Sequence, residues 1–110
     1  MEAPAQPQAP EPVLTGTPQE WMQQSGIDQQ YWRAVDFIMT KESTWRPTAV
    51  NGGGCIGLGQ SCPGGSGLAN DCPDWRTNPV CQLQHFDRYA TNRYGGWPQA
   101  YQAWLAQGWW

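Results

Sequence analysis

The chain has few charged residues and no cluster of basic ones. Its 110 residues include six Lys plus Arg and nine Asp plus Glu, for a formal net charge of −3. Nucleic acids and anionic membranes are bound through clustered cations, so neither is expected as a partner. No apolar run approaches the roughly 20 residues that a membrane span needs. The sequence therefore predicts one small domain with an adequate but limited core, and no membrane span.

The N-terminal segment lacks both the charged region and the apolar region of a signal peptide. Residues 1–16 are rich in Pro, Ala and Gln and show no apolar periodicity. We interpret them as a flexible linker, or as a joint to a larger protein. The folded domain is expected over residues 17–110. Export would require a signal that has been removed or replaced, or another route.

Four cysteines in a chain of this size favour two disulfides and an oxidising compartment. Four cysteines permit three pairings, and spacing alone does not choose among them. Zinc is an alternative, because Cys81 and His85 lie four residues apart on a predicted helix, although no Cys-x-x-Cys pair is present. A Cys–His protease would need a free thiol, which the even number of cysteines disfavours.

Capping signals predict four helices separated by one long irregular segment. The first begins at Thr17 and ends at Gly26, the second runs from Asp28 to about Ser43–Trp45, the third from Asn78 to Gly95, and the fourth from Pro98 to Gln107. Residues 51–78, here called the Gly-rich loop, contain eight Gly and three Cys without helical or strand periodicity. A short hairpin around residues 55–60 is compatible with this loop. The prediction is a mainly α domain with one long, disulfide-stapled loop.

One carboxylate lies on an apolar helix face. Residues at spacings of four, three and four mark that face of the second helix: Tyr31, Val35, Ile38 and Glu42. A Glu near a helix end is usually solvated. Burial would instead raise the pKa of Glu42, and the protonated acid could then donate to an ether oxygen near neutral pH.

A glycosidase with two carboxylates would need a second acid facing Glu42. Four aspartates are candidates, and none is compelling: Asp36, Asp71, Asp74 and Asp87. The only histidine, His85, is predicted at the surface because its helical neighbours Gln82 and Gln84 are polar.

Four ordered motifs resemble one family. "ESTWRPTAVN", "GLGQ", "DWRTNPVCQLQHFDRYATNRYGGW" and the closing "GWW" are similar to the lytic transglycosylases of the soluble-lytic-transglycosylase and goose-type-lysozyme kind, in their actinobacterial and phage branch. The resemblance covers about residues 19–110. It implies a lysozyme-like α+β fold and an extracytoplasmic enzyme that needs no cofactor. Such enzymes cleave the bond between N-acetylmuramic acid and N-acetylglucosamine and leave a 1,6-anhydromuramoyl end.

The resemblance also implies roles for particular residues. Glu42 would be the single acid/base, Ser43 would help to orient it, and Gln60 would line the cleft beside it. The family has a late Tyr-Asn pair whose hydroxyl lies near the acid, but this chain has "AYQAWLAQG" there. Trp104 would then replace that Tyr, or Tyr101 or Tyr94 would supply the hydroxyl. The branch also implies the pairs Cys55–Cys62 and Cys72–Cys81.

Eight Trp in so short a chain suit both a core and a groove that stacks on sugars. Helical spacing favours the core for Trp21, Trp32 and Trp104. Trp45 and Trp75 lie beside loops and are candidates for sugar contact, whereas Trp109 and Trp110 are expected to pack the C-terminus. The expected partner is the peptidoglycan strand, bound by a monomeric domain. The alternatives are a muramidase of the same fold and a non-catalytic peptidoglycan-binding module.

Overall fold

The computed structural model describes residues 15–110. The interpretation of residues 1–16 as a linker therefore lies almost entirely outside the described residues. Within the described part the chain is mainly helical and contains no β-strand, which confirms the mainly α prediction. Five α-helices follow in order: α1 (Pro18–Ser25), α2 (Trp32–Ser43), α3 (Leu68–Asp71), α4 (Pro79–Tyr94) and α5 (Trp97–Gln107). Two 3₁₀ turns, Gln29–Tyr31 and Trp75–Thr77, precede α2 and α4.

The helix boundaries follow the capping residues that the sequence offers. Thr17 and Glu20 form a reciprocal capping box at the start of α1. Asn78 accepts a hydrogen bond from the Cys81 amide and so caps α4. Gly95 ends α4 with a φ of 96°, a left-handed conformation that a residue without Cβ adopts without strain. The four predicted helices are confirmed, while the four-residue α3 inside the Gly-rich loop was not predicted.

The core forms where α4 packs against α1 and α5, and where α5 packs against α2. The apolar face of α4 is buried as predicted, at Leu83, Phe86 and Ala90. Val35 and Ile38 of α2 are fully buried too, which confirms the apolar face that also carries Glu42. Burial of each of the larger side chains, Leu83, Phe86, Val35 and Ile38, stabilises the fold by about 1.5–3 kcal/mol.

A buried glutamine connects the Gly-rich loop to α4. The Gln82 carbonyl oxygen accepts from the Leu58 amide at 2.7 Å, while its Nε2 donates to the carbonyls of Pro47 (2.9 Å) and Trp75 (2.7 Å). Its side chain is fully buried. One side chain therefore joins backbone groups from three separate positions outside the α-helices.

The loop also approaches α4 closely. A Cβ added to Gly59 would lie 2.7 Å from the Phe86 ring, nearer than side-chain carbons come to one another. Local β-structure in the described chain is limited to two isolated bridges, Val50 with Ile56 and Ile56 with Ser61. The hairpin considered around residues 55–60 is therefore reduced to these bridges.

Both predicted disulfides are present. Cys55–Cys62 closes a small ring within the loop, and Cys72–Cys81 joins the end of the loop to the first turn of α4. No cysteine is free, which removes the thiol that a Cys–His protease would need. The two bonds are compatible with an extracytoplasmic location. Across residues 15–110, no helix combines the length and apolar character needed to cross a membrane.

The predicted surface position of His85 is wrong. Its side chain is buried beside Phe86, and its two ring nitrogens lie within hydrogen-bond distance of Asp71 and Ser66. Gln82, also read as a polar surface neighbour, is buried as well, whereas Gln84 is exposed. Both buried side chains have polar partners in the Gly-rich loop, and satisfied polar groups can be buried without a large penalty.

Candidate active site

Glu42 lies in the last turn of α2 and meets a donor from the last turns of α5. The indole Nε1 of Trp104 donates to Oε2 of Glu42 at 2.8 Å. Because α2 packs against α5, two residues far apart in sequence are brought into contact. Phe37 packs edge-on against the Trp104 ring, with a centroid distance of 5.3 Å, and so helps to fix the indole.

Partial burial raises the pKa of Glu42, because removal of water destabilises the carboxylate. The hydrogen bond from Trp104 acts in the opposite direction but is the smaller effect. A carboxyl group in this environment keeps its proton to a higher pH than an ordinary Glu. It can therefore act as a general acid, with the indole N–H ready to stabilise the carboxylate left after proton donation.

Of the three residues considered as partners of Glu42, the structure brings Trp104 to it. Tyr101 instead packs edge-on against Phe37, at a centroid distance of 4.9 Å. The Tyr94 hydroxyl accepts a hydrogen bond from Nε of Arg93 at 3.0 Å. The donor at Glu42 is thus an indole N–H, which cannot accept a proton as a phenol oxygen can.

Sequence reasoning missed Tyr89. Burial is the main cause of its raised pKa, and the negative charge of Glu42 contributes to the same shift. Tyr89 also lines the cavity that contains Gln60. Its spacing of three residues from Phe86, at the edge of the core stripe of α4, was the available signal.

A cavity of about 180 Å³ lies between the Gly-rich loop and α4, and Gln60, Tyr89 and Trp110 are among the residues that line it. Gln60 has a left-handed φ of 58°. Its Nε2 donates to the carbonyls of Gly57 (2.9 Å) and Ala49 (3.3 Å). The residue therefore shapes the turn of the loop and lines this cavity.

The C-terminal Trp110 packs as expected, while Trp109 is 52% exposed. The Trp110 ring stacks on Trp97 and Tyr94, and its Nε1 donates to the Gly59 carbonyl at 3.0 Å. This contact fixes the Gly-rich loop at the position where the loop borders the cavity.

Ser43 does not contact the Glu42 carboxylate through its hydroxyl. Its Oγ donates to the Met39 carbonyl at 3.2 Å within α2, and its side chain is buried. Its backbone carbonyl accepts from Nε of Arg46 at 3.2 Å. Ser43 thus helps to end α2 just after Glu42, and any effect on the acid passes through that helix end.

The Trp residues proposed for sugar contact differ in position. Trp75 is 8% exposed and packs in the core, and the Arg76 guanidinium lies over its ring, so little of this side chain is open to the sugar contact that the sequence suggested. Trp45 is partly exposed, packs near Trp21 and donates to Asp36 Oδ1 at 2.8 Å. Trp21 is buried as predicted, whereas Trp32 and Trp104 are partly buried.

A larger groove of about 560 Å³ lies between α2 and α5. Its walls include the aromatic rings of Tyr31, Phe37 and Tyr101, together with the cation of Lys41, the residue before Glu42. Aromatic faces next to polar groups suit the apolar faces and hydroxyls of sugars. Tyr101 thus lines this groove, although it does not reach Glu42 by a hydrogen bond.

The four candidate second carboxylates all have other partners. Each accepts from a nearby donor: Asp36 from Trp45, Asp74 from Asn78, Asp87 from Trp97, and Asp71 from Arg88, with His85 also in contact. None of these hydrogen bonds involves Glu42. Glu42 is the described carboxylate whose pKa is raised by burial.

The two residues considered as zinc ligands have other partners. Cys81 is bonded to Cys72, and His85 contacts Asp71 and Ser66. Among residues 15–110, no group of three or more His, Cys, Asp or Glu is arranged to hold a metal ion.

No protein-family model, curated protein or solved structure matches this chain.

Proposed function

We propose that this domain is a peptidoglycan lytic transglycosylase in which Glu42 is the single acid/base. The observation that carries the proposal is the environment of Glu42: partial burial raises its pKa, and Trp104 donates to its carboxylate. The resemblance of the Glu-Ser, Gly-Leu-Gly-Gln and Asn-Pro motifs supplies the substrate class.

The reaction uses Glu42 twice. The protonated acid first donates to the oxygen that links N-acetylmuramic acid to N-acetylglucosamine, and the bond from the muramoyl C1 to that oxygen breaks. The Glu42 carboxylate then removes the proton from the muramoyl 6-hydroxyl. The O6 oxygen of that hydroxyl bonds to C1. The products are a free 4-hydroxyl and a 1,6-anhydro end, and Glu42 is protonated again. No second protein carboxylate is needed, which agrees with the partners found for the four aspartates.

Both states of Glu42 are supported by its surroundings. Desolvation favours the protonated acid needed for the first step. The Trp104 N–H stabilises the carboxylate formed after that step. Gln60 at the cavity and Tyr101 in the groove are proposed to contact the sugars, while Trp45 is a further candidate.

The proposed substrate lies outside the cytoplasmic membrane, so the enzyme would be secreted, attached to the cell envelope or carried on a virion. The two disulfides agree with such a compartment. We propose that the domain acts as a monomer on glycan strands and can form part of a larger wall-remodelling or wall-penetrating protein, such as a phage lysin.

Digestion of purified peptidoglycan followed by mass spectrometry tests the proposal. The wild type should release anhydro-muropeptides, and Glu42→Gln should lower their release by about 10²-fold or more, as expected for loss of a general acid. Asp74→Asn is the matched control at an exposed carboxylate, because an Asn oxygen can still accept from Asn78.

The products discriminate among the alternatives. Reducing sugar ends alone would make the chain a muramidase and overturn the transglycosylase mechanism. Equal activity of the wild type and Glu42→Gln would remove Glu42 from the reaction. Binding of glycan by both proteins without cleavage would identify a non-catalytic module.

A further inference from the structure

Three side chains outside the Glu42 site form a continuous hydrogen-bonded line. His85 Nδ1 lies 2.9 Å from Asp71 Oδ2, and His85 Nε2 lies 2.8 Å from Ser66 Oγ. The imidazole is 5% exposed, whereas Ser66 is partly exposed. A hydroxyl, an imidazole and a carboxylate in this order are the parts that activate a serine as a nucleophile.

The carboxylate determines which nitrogen carries the proton. Hydrogen bonds from His85 and Arg88 lower the pKa of Asp71, so this residue is ionised at neutral pH and can only accept. In a neutral imidazole, Nδ1 then bears the hydrogen and Nε2 presents its lone pair to Ser66. This is the tautomer in which His85 can remove the hydroxyl proton of Ser66.

The fold holds the three residues in register. Ser66 precedes α3, Asp71 ends α3, and α3 packs against α4, which carries His85. The Cys72–Cys81 disulfide follows Asp71 directly and fastens that end of α3 to α4. On its other side the Ser66 hydroxyl lies 2.8 Å from Ser61 Oγ, and Ser61 also accepts from the Leu68 amide. The hydroxyl is thus positioned from two directions.

Two cavities border the hydrogen-bonded line of Ser66, His85 and Asp71. A cavity of about 610 Å³ is lined by Ser66, His85 and Asp71 together with Arg88 and Asn92. Ser66 also borders the smaller cavity that contains Gln60. The hydroxyl is therefore reachable from open cavities, and the mostly buried imidazole borders the larger of them.

We propose that Ser66 is the nucleophile of a second activity, the hydrolysis of short-chain carboxylic esters, with His85 as base and Asp71 orienting the imidazole. Ser66 Oγ bonds to the ester carbonyl carbon as its proton passes to His85 Nε2. The bond from that carbon to the alcohol oxygen then breaks, and the alcohol leaves with the proton from His85. Water, deprotonated by His85, attacks the acyl-Ser66 ester, releases the carboxylic acid and restores the hydroxyl. This activity does not depend on Glu42.

A fluorophosphonate probe and p-nitrophenyl acetate test the proposal on the disulfide-bonded protein. The probe should label Ser66, located by peptide mass spectrometry, and p-nitrophenyl acetate should give a transient gain of one acetyl group at the same residue. Ser66→Ala should abolish both modifications. His85→Gln should slow labelling by about 10²–10⁴-fold, the usual contribution of a general base.

Ser25→Ala is the matched control, since the Ser25 hydroxyl donates to the Met22 carbonyl in α1 and has no imidazole partner. It should label as the wild type does. Absence of labelling at Ser66 in the folded wild type would overturn the proposal, and so would equal labelling rates in the wild type and His85→Gln. Either result would make the line a structural link between α3 and α4.

Discussion

Trp104 and Glu42 are joined by a 2.8 Å hydrogen bond across 62 residues of sequence. The bond couples the last turn of α2 to α5, and it is the one polar contact that acts on the pKa of Glu42 in opposition to burial. The identity of the donor therefore influences both the position of the acid and the pH range over which it holds its proton.

Replacement of Trp104 by Phe should move the pH profile of glycan cleavage to higher pH. The change removes the N–H that lowers the pKa of Glu42, so the acid should stay protonated to a higher pH. We expect turnover to fall about tenfold, because a hydrogen bond to a charged group contributes roughly 1.5–3 kcal/mol and this one is partly solvated. The measurement is the pH dependence of anhydro-muropeptide release. Trp109→Phe, at an exposed indole, should leave the profile unchanged; an unshifted profile in Trp104→Phe would contradict the assignment.

Glu42→Gln should stabilise the fold at neutral pH and have little effect in acid. The folded-state pKa of Glu42 is raised above 4.5, so the folded state binds the proton more tightly than the unfolded state. The contribution of protonated Glu42 to the free energy of unfolding is then lost as the pH rises from about 4.5 through the folded-state pKa. Because the side chain is partly exposed, the gain in the variant should stay below about 1 kcal/mol. Urea unfolding at pH 4 and pH 7 measures it, and a gain of equal size at both pH values would argue against desolvation as the cause.

Gln82→Ala should destabilise the domain by roughly 3 kcal/mol. The change leaves the Leu58 amide and the carbonyls of Pro47 and Trp75 without their buried partner. Each unsatisfied group costs about 1–3 kcal/mol, reduced where water enters. Gln84→Ala, at an exposed position on the same helix, should change the free energy of unfolding by less than about 0.5 kcal/mol. Similar urea midpoints for the two variants would show that Gln82 does not hold the loop.

Reduction of the disulfides should lower glycan-cleaving activity more than helix content. The two bonds close short rings, with sequence separations of 7 and 9, and each should stabilise the fold by about 2–3 kcal/mol on the chain-entropy estimate. They order the Gly-rich loop, whereas packing among α1, α2, α4 and α5 holds the helices. Activity and far-ultraviolet circular dichroism should be followed together as reductant is added. Loss of both signals in step would show that the disulfides maintain the whole core.

The sequence predicted the parts of the fold that are set by local chemistry. Thr17, Asn78 and Gly95 mark helix ends through capping, and the periodicity of α2 placed Glu42 on an apolar face. Contacts that depend on how two helices pack against each other could not be predicted from local sequence patterns. The pairing of Trp104 with Glu42 depends on how α5 packs against α2, and no local pattern encodes that angle.

The errors concern polar residues that are buried against irregular chain. Gln82 and His85 were expected at the surface because helical periodicity treats polar side chains as solvated. Their partners are backbone groups and short side chains of the Gly-rich loop, which has no periodicity to reveal them. Trp75 belongs to the same loop, and its side chain packs into the core although its loop position suggested that it was open to sugar contact. The disulfide pairs were implied only by the family resemblance, since spacing left three possibilities.

The hydrogen bond from the Leu58 amide to Gln82 has a consequence for how the molecule opens. A segment rich in Gly would ordinarily exchange its amide hydrogens through small local fluctuations. Here the Leu58 amide is buried and bonded to a side chain of α4, so it can exchange only when the loop separates from that helix. The loop and α4 should therefore open as one cooperative unit, and the border of the cavity at Gly59 and Gln60 should be as long-lived as the helix that supports it.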